Sequence, residues 1–375
     1  MEEAAKNFMK KNKFKKLKFK RKKNKFILTN PKLGLNLKDF LLFFLIILLI
    51  SSSILIYILL KRKNNFEEKL KLSFKFSQIF SLLFETMRNL PKPSSGTTIH
   101  NYNIKGNKGI GICTICKNEN LYLKEFATYY QKLGIKKIII YDNNDIDGEK
   151  PEEVLQHFIK SNFVEIIDIR GFNSAQLPSY NHCYEKYRNQ FDYITFLDFD
   201  EFIIIQNNKS INDYLYDSKF DKCESILLNW EMYGDNDLIK YDNRTMIERF
   251  TKPVEKWNKG KSIVRTNIDN LLIISVHNVG VNVNNFCDSN GNKIIPPNYL
   301  DFTSPLEPES YIKHFYTKTA EEFCTKILKG GGNINSNHPR YKNVLQMRIN
   351  SFKKFNKMTN EKLDIIKKCS AQMIY

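Results

Sequence analysis

Short apolar runs alternate with amphipathic segments between residues 109 and 197, and this pattern most limits the folds open to the chain. Short apolar runs predict buried strands, and longer amphipathic segments predict helices. We expect strands at 109–115, 137–141, 163–167 and 193–197, with helices at 121–133, 151–161 and 179–189. Because this alternation is typical of βαβ units, the sequence predicts an α/β fold with a mostly parallel, Rossmann-like central sheet flanked by helices.

The basic residues are concentrated at the N-terminus. The formal net charge is +19, but residues 1–38 hold fourteen Lys or Arg against two acids, which leaves +7 for the rest of the chain. A nucleic-acid-binding domain normally carries its basic residues on the folded part. We therefore expect no nucleic-acid partner.

An uncharged apolar run covers residues 40–60. At about 1.5 Å per helical residue it spans roughly 30 Å, the thickness of a bilayer's hydrocarbon core. The preceding flank is more basic than Lys61-Arg62-Lys63, so the positive-inside rule places the N-terminus in the cytosol. We expect a single-pass type II protein of a Golgi or other secretory-pathway membrane, with a cytosolic tail (1–39), a transmembrane helix (40–60) and a lumenal remainder.

Residues 61–105 read as a stem or linker. Apolar residues at helical spacing cover 64–90, and a Pro/Ser/Gly stretch follows at 91–96. The helix either mediates a homodimer or rests on the domain that begins near residue 106, and both interpretations stay open. Seven cysteines in the lumenal part leave at least one without an intramolecular partner. Sequons at Asn208 and Asn243 agree with a secretory location.

Polar residues follow each predicted strand of the sheet. In doubly wound sheets ligands bind outside the carboxyl ends of the strands, so these residues are the candidates for a binding site. They are Lys117, Asn118, Glu119, Asp142, Arg170, Asp198, Asp200 and Glu201.

The triplet Asp198-Phe199-Asp200 follows the fourth predicted strand directly. Two carboxylates at i and i+2 can approach one hard cation, and Mg²⁺ or Mn²⁺ prefers such oxygen ligands. The metal would bridge two phosphates and take up charge as a nucleoside diphosphate leaves. The alternative for a bare DxD is a solvated turn, but its place after a central strand favours the metal.

An ordered set of segments resembles glycosyltransferase family 92 and its family-2-like relatives. The resemblance covers about residues 109–356. The segments are Ile112–Glu119, Tyr122–Phe126, Tyr129-Tyr130, Leu133–Ile135, Ile140–Asn143, Asp198–Phe202, Trp230–Gly234, Lys261–Arg265, His277, His314–Thr319, Glu322-Phe323 and Lys326.

That resemblance implies a GT-A fold for residues 106–375 and transfer of a hexose, such as galactose, from a nucleotide-sugar to a glycan acceptor on protein or lipid. The donor would be a UDP-sugar, with Mn²⁺ or Mg²⁺ on Asp198 and Asp200. By position, Lys117, Asn118, Glu119 and Asp142 would lie near the nucleotide, together with Asp198. One departure is Gly330-Gly331-Gly332, where relatives more often carry an arginine-containing loop.

Two roles have competing candidates. A third metal ligand is expected from His277, after the strand-like run 271–276, with His314 as the rival; either is equally compatible with a structural histidine. A general base for the acceptor hydroxyl is expected from Asp235 or Asp237, although both also suit a solvated loop. Glu201 is a further alternative, but its closeness to the metal acids favours a role in supporting them.

Two other classes of protein remain as alternatives. A haloacid-dehalogenase-type phosphotransferase also uses DxD, but normally after the first strand and before a Gly-Thr-like turn, whereas Phe202-Ile203 follows here. A catalytically silent, lectin-like membrane protein of the same fold would lack metal dependence, and the acids of the triplet argue against it.

Overall fold

The computed structural model describes residues 18–22, 25–29 and 108–372, apart from residues 173, 270, 272, 274, 278–284, 295–304 and 331–340. The chain divides into two compact units, residues 1–98 and 99–375. In the first, strands β1 (Lys18–Lys22) and β2 (Lys25–Thr29) pair antiparallel within the segment predicted as a basic tail. The predicted membrane span and stem lie outside the described residues. None of the described helices has the length and apolar character needed to cross a bilayer.

The second unit begins with parallel strands separated by helices. Its elements are β3 (Ile110–Cys116), α1 (Asn120–Leu133), β4 (Lys137–Asp142), α2 (Pro151–Val154), α3 (Gln156–Lys160), β5 (Val164–Asp168), α4 (Gln176–Tyr187) and β6 (Tyr193–Phe196). The predicted βαβ pattern is confirmed. The predicted helix 151–161 is divided at Leu155, where φ is −103° and ψ is 13° and the side chain is buried in the core.

The order of these strands makes β3 the centre of the sheet. The strands lie in the order β5-β4-β3-β6, all parallel, so the chain builds outward from β3 to β5 and then returns to the other side of β3. The strand order reverses at β3, and the crevice outside the carboxyl ends at such a point is where ligands bind. Lys117 follows β3 and Asp198 follows β6 at this edge.

The sheet continues with strands of mixed direction, so it is not parallel throughout. These later elements are β7 (Glu201–Ile205), α5 (Ile211–Leu215), β8 (Ser225–Tyr233), α6 (Met246–Arg249), β9 (Pro253–Arg265), β10 (Phe286–Cys287), β11 (Lys293–Ile294) and β12 (Ser310–His314). Strand β9 runs antiparallel to both β6 and β8, and β12 runs parallel to β8. The carboxyl ends of β6, β8 and β12 therefore lie at the same edge as that of β3.

Three helices form the C-terminal part: α7 (Ala320–Leu328), α8 (Tyr341–Phe355) and α9 (Asn360–Gln372). Their apolar faces share one cluster that includes Phe323 and Phe352, with rings 4.6 Å apart. A disulfide between Cys324 and Cys369 joins α7 to α9. The apolar face of α7 is therefore fixed against α8 and α9, while its polar face reaches the sheet edge.

The cysteine pairing follows this architecture. Cys113–Cys183 ties β3 to α4, and Cys223–Cys287 ties the segment before β8 to β10. With Cys324–Cys369, three disulfides use six of the seven cysteines and leave Cys116 as a buried thiol. The expected unpaired cysteine is thus Cys116.

Candidate functional site

The Asp198-Phe199-Asp200 triplet forms the turn between β6 and β7. Phe199 is buried in the core, with its ring 4.8 Å from that of Phe126. Glu201 closes the turn, since its carboxylate accepts a 3.0 Å hydrogen bond from the backbone N–H of Asp198. Phe199 thus anchors the turn in the core, and Asp198 and Asp200 remain at the sheet edge.

Asp198 is paired with a lysine of β9. In the antiparallel register Thr195 lies opposite Ile263, which brings Lys261 beside the end of β6. Its ammonium lies 3.0 Å from Asp198 and 3.5 Å from Glu201. Burial would raise the pKa of Asp198, but the charge of Lys261 holds that pKa below its usual value. The Asp198 side chain remains 38% exposed, whereas that of Lys261 is buried.

Asp200 is held by three cationic or potentially cationic groups. Lys326 of α7 lies 2.7 Å from one carboxylate oxygen and Lys318 lies 3.5 Å from the same oxygen. The other oxygen is 3.6 Å from Nε2 of His314. Burial opposes ionisation, yet the two lysines keep the pKa of Asp200 well below its usual value. Burial lowers the pKa of Lys326 to about 8, against the attraction of Asp200.

A buried ion-pair network positions α7 and Lys318. Arg249 of α6 donates to both oxygens of Glu322 at 2.7 and 3.0 Å, and Tyr122 of α1 donates to the same carboxylate at 2.8 Å. Thr319 caps α7 by accepting a hydrogen bond from the backbone N–H of Glu322. Lys318 lies over the Tyr122 ring, 4.0 Å from its centroid, and is thereby directed at Asp200.

Both candidate histidines flank one tryptophan. The ring of Trp230, on β8, lies 4.5 Å from the ring of His314 and 5.1 Å from that of His277. Burial, and then the nearby charge of Lys261, lowers the pKa of His277 to about 3. The described residues contain no group of three His, Cys, Asp or Glu side chains that could hold a metal ion. Asp198, Asp200 and His277 are therefore not arranged as a complete ligand set.

The four residues expected near the nucleotide lie together at the ends of β3 and β4. The backbone N–H of Asn118, whose φ is +51°, donates to Asn144 at 2.7 Å. Lys117 pairs with Asp145 at 3.1 Å, and Glu119 pairs with Lys329 at the end of α7. Helix α7 thus contacts both groups of predicted residues, through Lys326 on Asp200 and Lys329 on Glu119.

Asp142, the fourth of these residues, is buried and already has partners. One of its oxygens accepts from the backbone and side-chain amides of Asn144, at 3.0 and 2.7 Å. The other accepts from Nε of Arg170 at 2.7 Å, and Arg170 also reaches Glu152 at 3.2 Å. Asp142 therefore orients Arg170, and the guanidinium is the group of this pair that is partly exposed.

The two candidate bases follow β8 but have different surroundings. Asp235 is 2% exposed and forms a 2.6 Å ion pair with Lys362 of α9, which is fully buried. Burial raises the pKa of Asp235, although Lys362 opposes the rise. Asp237 is exposed, with φ +64°. Among the hydrogen bonds and ion pairs of the described residues, none joins either aspartate to Asp198 or Asp200.

The lysines were not identified from the sequence as site residues. Lys261, Lys318 and Lys326 occur in segments of the family-like pattern, on a strand, just before a helix and in the last turn of that helix. That spacing alone does not show that they converge on two carboxylates. The loop expected to depart from relatives starts at Gly330, whose carbonyl accepts a 3.1 Å hydrogen bond from Arg348 of α8. The remainder of that loop lies outside the described residues.

Sequence comparison finds relatives that match part of this chain. Glycosyltransferase family 92 proteins from Oryza sativa subsp. japonica and Ricinus communis are 26% identical over 166 residues and 24% identical over 204 residues. These alignments cover 44% and 50% of this chain but only 28% and 34% of the relatives. The matched region is thus about a third of each relative's length.

Two solved structures show a distant likeness. Staphylococcus aureus TarS 1–349 is 12% identical, with a TM-score of 0.33 over 71% of this chain and 80% of that chain. The Pyrobaculum calidifontis mannosyltransferase PcManGT, in complex with GDP-Man and Mn²⁺, is 8% identical with a TM-score of 0.25, over 41% of this chain and 43% of that chain.

The profile of glycosyltransferase family 92 matches residues 108–368. The match covers more than half of the sequence and includes every residue of the sheet edge described above, so this chain belongs to glycosyltransferase family 92.

Proposed function

We propose that this chain transfers a hexosyl group, such as galactose, from a UDP-sugar to a hydroxyl of a glycan on protein or lipid. Membership of family 92 supports glycosyl transfer. The single observation that carries the donor site is the pair of carboxylates, Asp198 and Asp200, at the edge where the strand order reverses, each with a buried lysine beside it, Lys261 and Lys318. Carboxylates and lysines together suit a metal-bound diphosphate.

The residues present fit a hard divalent cation, Mn²⁺ or Mg²⁺. Asp198 is partly open to solvent, and the second oxygen of Asp200 lies 3.6 Å from Nε2 of His314, whose pKa is lowered by burial. His277 carries a buried Nδ1 without a hydrogen-bond partner and is our candidate for a third ligand. Because no three described groups form a full set, phosphate oxygens and water would complete the coordination. When bound, the cation would neutralise charge on the departing diphosphate.

The chain's own lysines bind and orient the diphosphate in this proposal. Asp200 holds Lys318 and Lys326 at 3.5 and 2.7 Å, so both ammonium groups are in place before the donor arrives. A preorganised cation costs no reorganisation as negative charge develops on the leaving group. Lys261 has the same relation to Asp198, and it keeps that carboxylate ionised and directed at the edge.

The nucleoside would lie across the ends of β3 and β4. Lys117, Asn118 and Glu119 form one wall, and Arg170, oriented by Asp142, forms another. A guanidinium held by a buried carboxylate presents its remaining N–H groups in a fixed geometry, which suits hydrogen bonding to a base or ribose.

For the acceptor side, we assign the general base to Asp237. Asp235 is committed to Lys362, whereas Asp237 is exposed in the loop after β8, at the same edge as the triplet. A base must reach the hydroxyl whose proton it takes. Asp235 contributes by accepting the backbone N–H of Asp237 at 2.9 Å, which fixes the conformation of this loop.

We also propose a type II membrane location with the family domain in the lumen. Three disulfides support an oxidising compartment, and Asn208 and Asn243 are both exposed. The predicted anchor at 40–60 and the homodimer through the stem at 61–105 remain predictions, since these residues lie outside the described part of the chain.

Turnover of the full chain in detergent tests the proposed function. UDP release would be measured with UDP-galactose, UDP-glucose and UDP-GlcNAc, and with GDP-mannose, each with Mn²⁺ or with EDTA. We expect turnover with at least one UDP-hexose, lost in EDTA and restored by Mn²⁺. Glycan binding without turnover of any donor would instead support the silent, lectin-like alternative.

A further inference from the structure

Two buried polar groups beside the triplet have no hydrogen-bond partner. Nε1 of Trp230 and Nδ1 of His314 are both unpaired, and each residue is only 5% exposed. Burial of a donor or acceptor without a partner is costly, so native structures rarely contain such groups unless a ligand or water satisfies them. The rings that carry these two groups are neighbours, which indicates a polar subsite.

The sheet places His314 next to Asp200 and Trp230 next to His314. Ile312 of β12 lies opposite Trp230 of β8 in parallel register, and His314 follows two residues later on the same face. The two rings are 4.5 Å apart. Nε2 of His314 is 3.6 Å from Asp200, and the backbone N–H of Phe315 donates to the Asp200 carbonyl at 2.9 Å. A ligand group bound to Trp230 and His314 would therefore lie beside a ligand bound at the Asp198-Phe199-Asp200 triplet.

The chemistry of the pair selects a class of ligand. An indole N–H is a donor only, and an imidazole nitrogen donates or accepts according to its tautomer. Indole does not ligate metals, and Lys318 and Lys326 are the groups here that suit a phosphate. A donor and an imidazole nitrogen beside aromatic rings match sugar hydroxyls, each of which can donate and accept.

We propose that Trp230 Nε1 and His314 Nδ1 bind hydroxyl groups of the hexosyl unit of the donor. This inference rests on the proposed function, since the hexose is attached to the diphosphate that the triplet region would bind. It makes Trp230 and His314 determinants of the donor sugar, and it separates their role from that of the lysines, which would contact only phosphate.

The test compares the binding of UDP with that of a UDP-hexose by calorimetry, using the full chain in detergent with Mn²⁺. Trp230→Phe removes the indole N–H and keeps an aromatic ring. We expect it to weaken UDP-hexose binding about tenfold and to leave UDP binding within about twofold. The matched control is Trp257→Phe. The centroid of the Trp257 ring is 6.1 Å from that of Trp230, but Nε1 of Trp257 already donates to Glu255 and is not proposed to bind the sugar. The control should change neither affinity by more than about twofold.

A second measurement needs no variant. In the unmodified chain, at least one singly deoxygenated UDP-hexose should bind about tenfold more weakly than the parent sugar. Trp230→Phe should reduce that penalty, and thermal unfolding would confirm that the variant is folded. If Trp230→Phe weakens the binding of UDP and of UDP-hexose equally, the proposed sugar contact is wrong. The same holds if the unmodified chain binds every deoxygenated UDP-hexose as tightly as the parent sugar. Neither result would contradict the proposed function. An unmodified chain that binds neither ligand would overturn the proposed function, and this inference with it.

Discussion

Asp198 and Asp200 differ in their surroundings although they are only two residues apart. Asp198 is partly exposed and pairs with one lysine of the sheet, whereas the Asp200 side chain is 8% exposed and pairs with Lys318, just before α7, and Lys326, in the last turn of α7. Phe199, buried between them, accounts for their common position at the edge. Asp200 therefore links the edge of the sheet to α7.

Lys326→Met should weaken the binding of nucleoside diphosphates. The ammonium lies 2.7 Å from Asp200, and a charge-assisted hydrogen bond to phosphate contributes about 1.5–3 kcal/mol, or roughly 10- to 150-fold in affinity. Calorimetry should show this loss for UDP but a much smaller one for uridine. Lys353→Met, an exposed lysine of α8, is the control and should bind UDP normally. Equal UDP affinities for the two variants would refute the phosphate role of Lys326.

Asp235 and Asp237 should respond differently to the same substitution. Asp235→Asn leaves Lys362 buried without its counterion, which costs about 3–5 kcal/mol of unfolding free energy. Asp237→Asn should change stability by less than about 0.5 kcal/mol, as surface substitutions do, yet lower kcat about 10²- to 10⁴-fold. Urea unfolding and donor turnover would be measured on both. If kcat falls with Asp235→Asn and not with Asp237→Asn, the assignment of the base is wrong.

Among the elements of the domain, the strands and helices of the βαβ region could be predicted from the sequence. The approach of the later elements, β12 and α7, to Asp200 could not. Apolar runs such as Ile110–Cys116 and Lys137–Asp142 are buried strands with little ambiguity in length. The interruption at Leu155 depends on tertiary packing of one side chain. The approach of β12 and α7 to Asp200 depends on pairings more than a hundred residues apart, such as His314 with Glu201. Local periodicity contains no signal for such pairings.

The same limit applies to the site. The position of Asp198 and Asp200 at the sheet edge could be predicted because they follow a strand directly, whereas the pairing of Asp142 with Arg170 could not. The short side chain of Asp142, at the very end of β4, is covered by Asn144 and Arg170. Whether a polar residue after a strand faces a ligand or supports a neighbour is decided by residues far along the chain.

The disulfide of the C-terminal helices should support donor binding. Helix α7 carries Lys326 and is joined to α9 by Cys324–Cys369. The double variant C324S/C369S should lose about 2–4 kcal/mol of stability and also bind UDP more weakly. The control C223S/C287S removes the disulfide at β10, and should reduce stability while leaving UDP affinity unchanged. Weaker UDP binding in the control alone would contradict the role given to α7.

At the scale of the whole molecule, the proposed topology places the second unit in the secretory lumen. Glycosylation at Asn208 or Asn243 reports this directly, because both side chains are exposed and only a lumenal domain meets the glycosylation machinery. Expression in eukaryotic cells should give a product that shifts on gel electrophoresis after glycosidase treatment. Variants N208Q/N243Q should lack the shift. An unmodified chain that is protected from glycosylation at both sites, yet folded, would contradict a lumenal domain.

In the proposed donor site, Asp198 and Asp200 hold a divalent cation on the diphosphate. Electron paramagnetic resonance of Mn²⁺ measures this without catalysis, because bound Mn²⁺ loses the sharp signal of the free ion. With the full chain and UDP, we expect the free Mn²⁺ signal to fall more than with UDP alone. Asp200→Asn should abolish that additional loss, whereas Asp242→Asn, an acid paired on the surface with Arg244, should retain it. An unchanged Mn²⁺ titration in Asp200→Asn would show that Asp200 does not hold the cation.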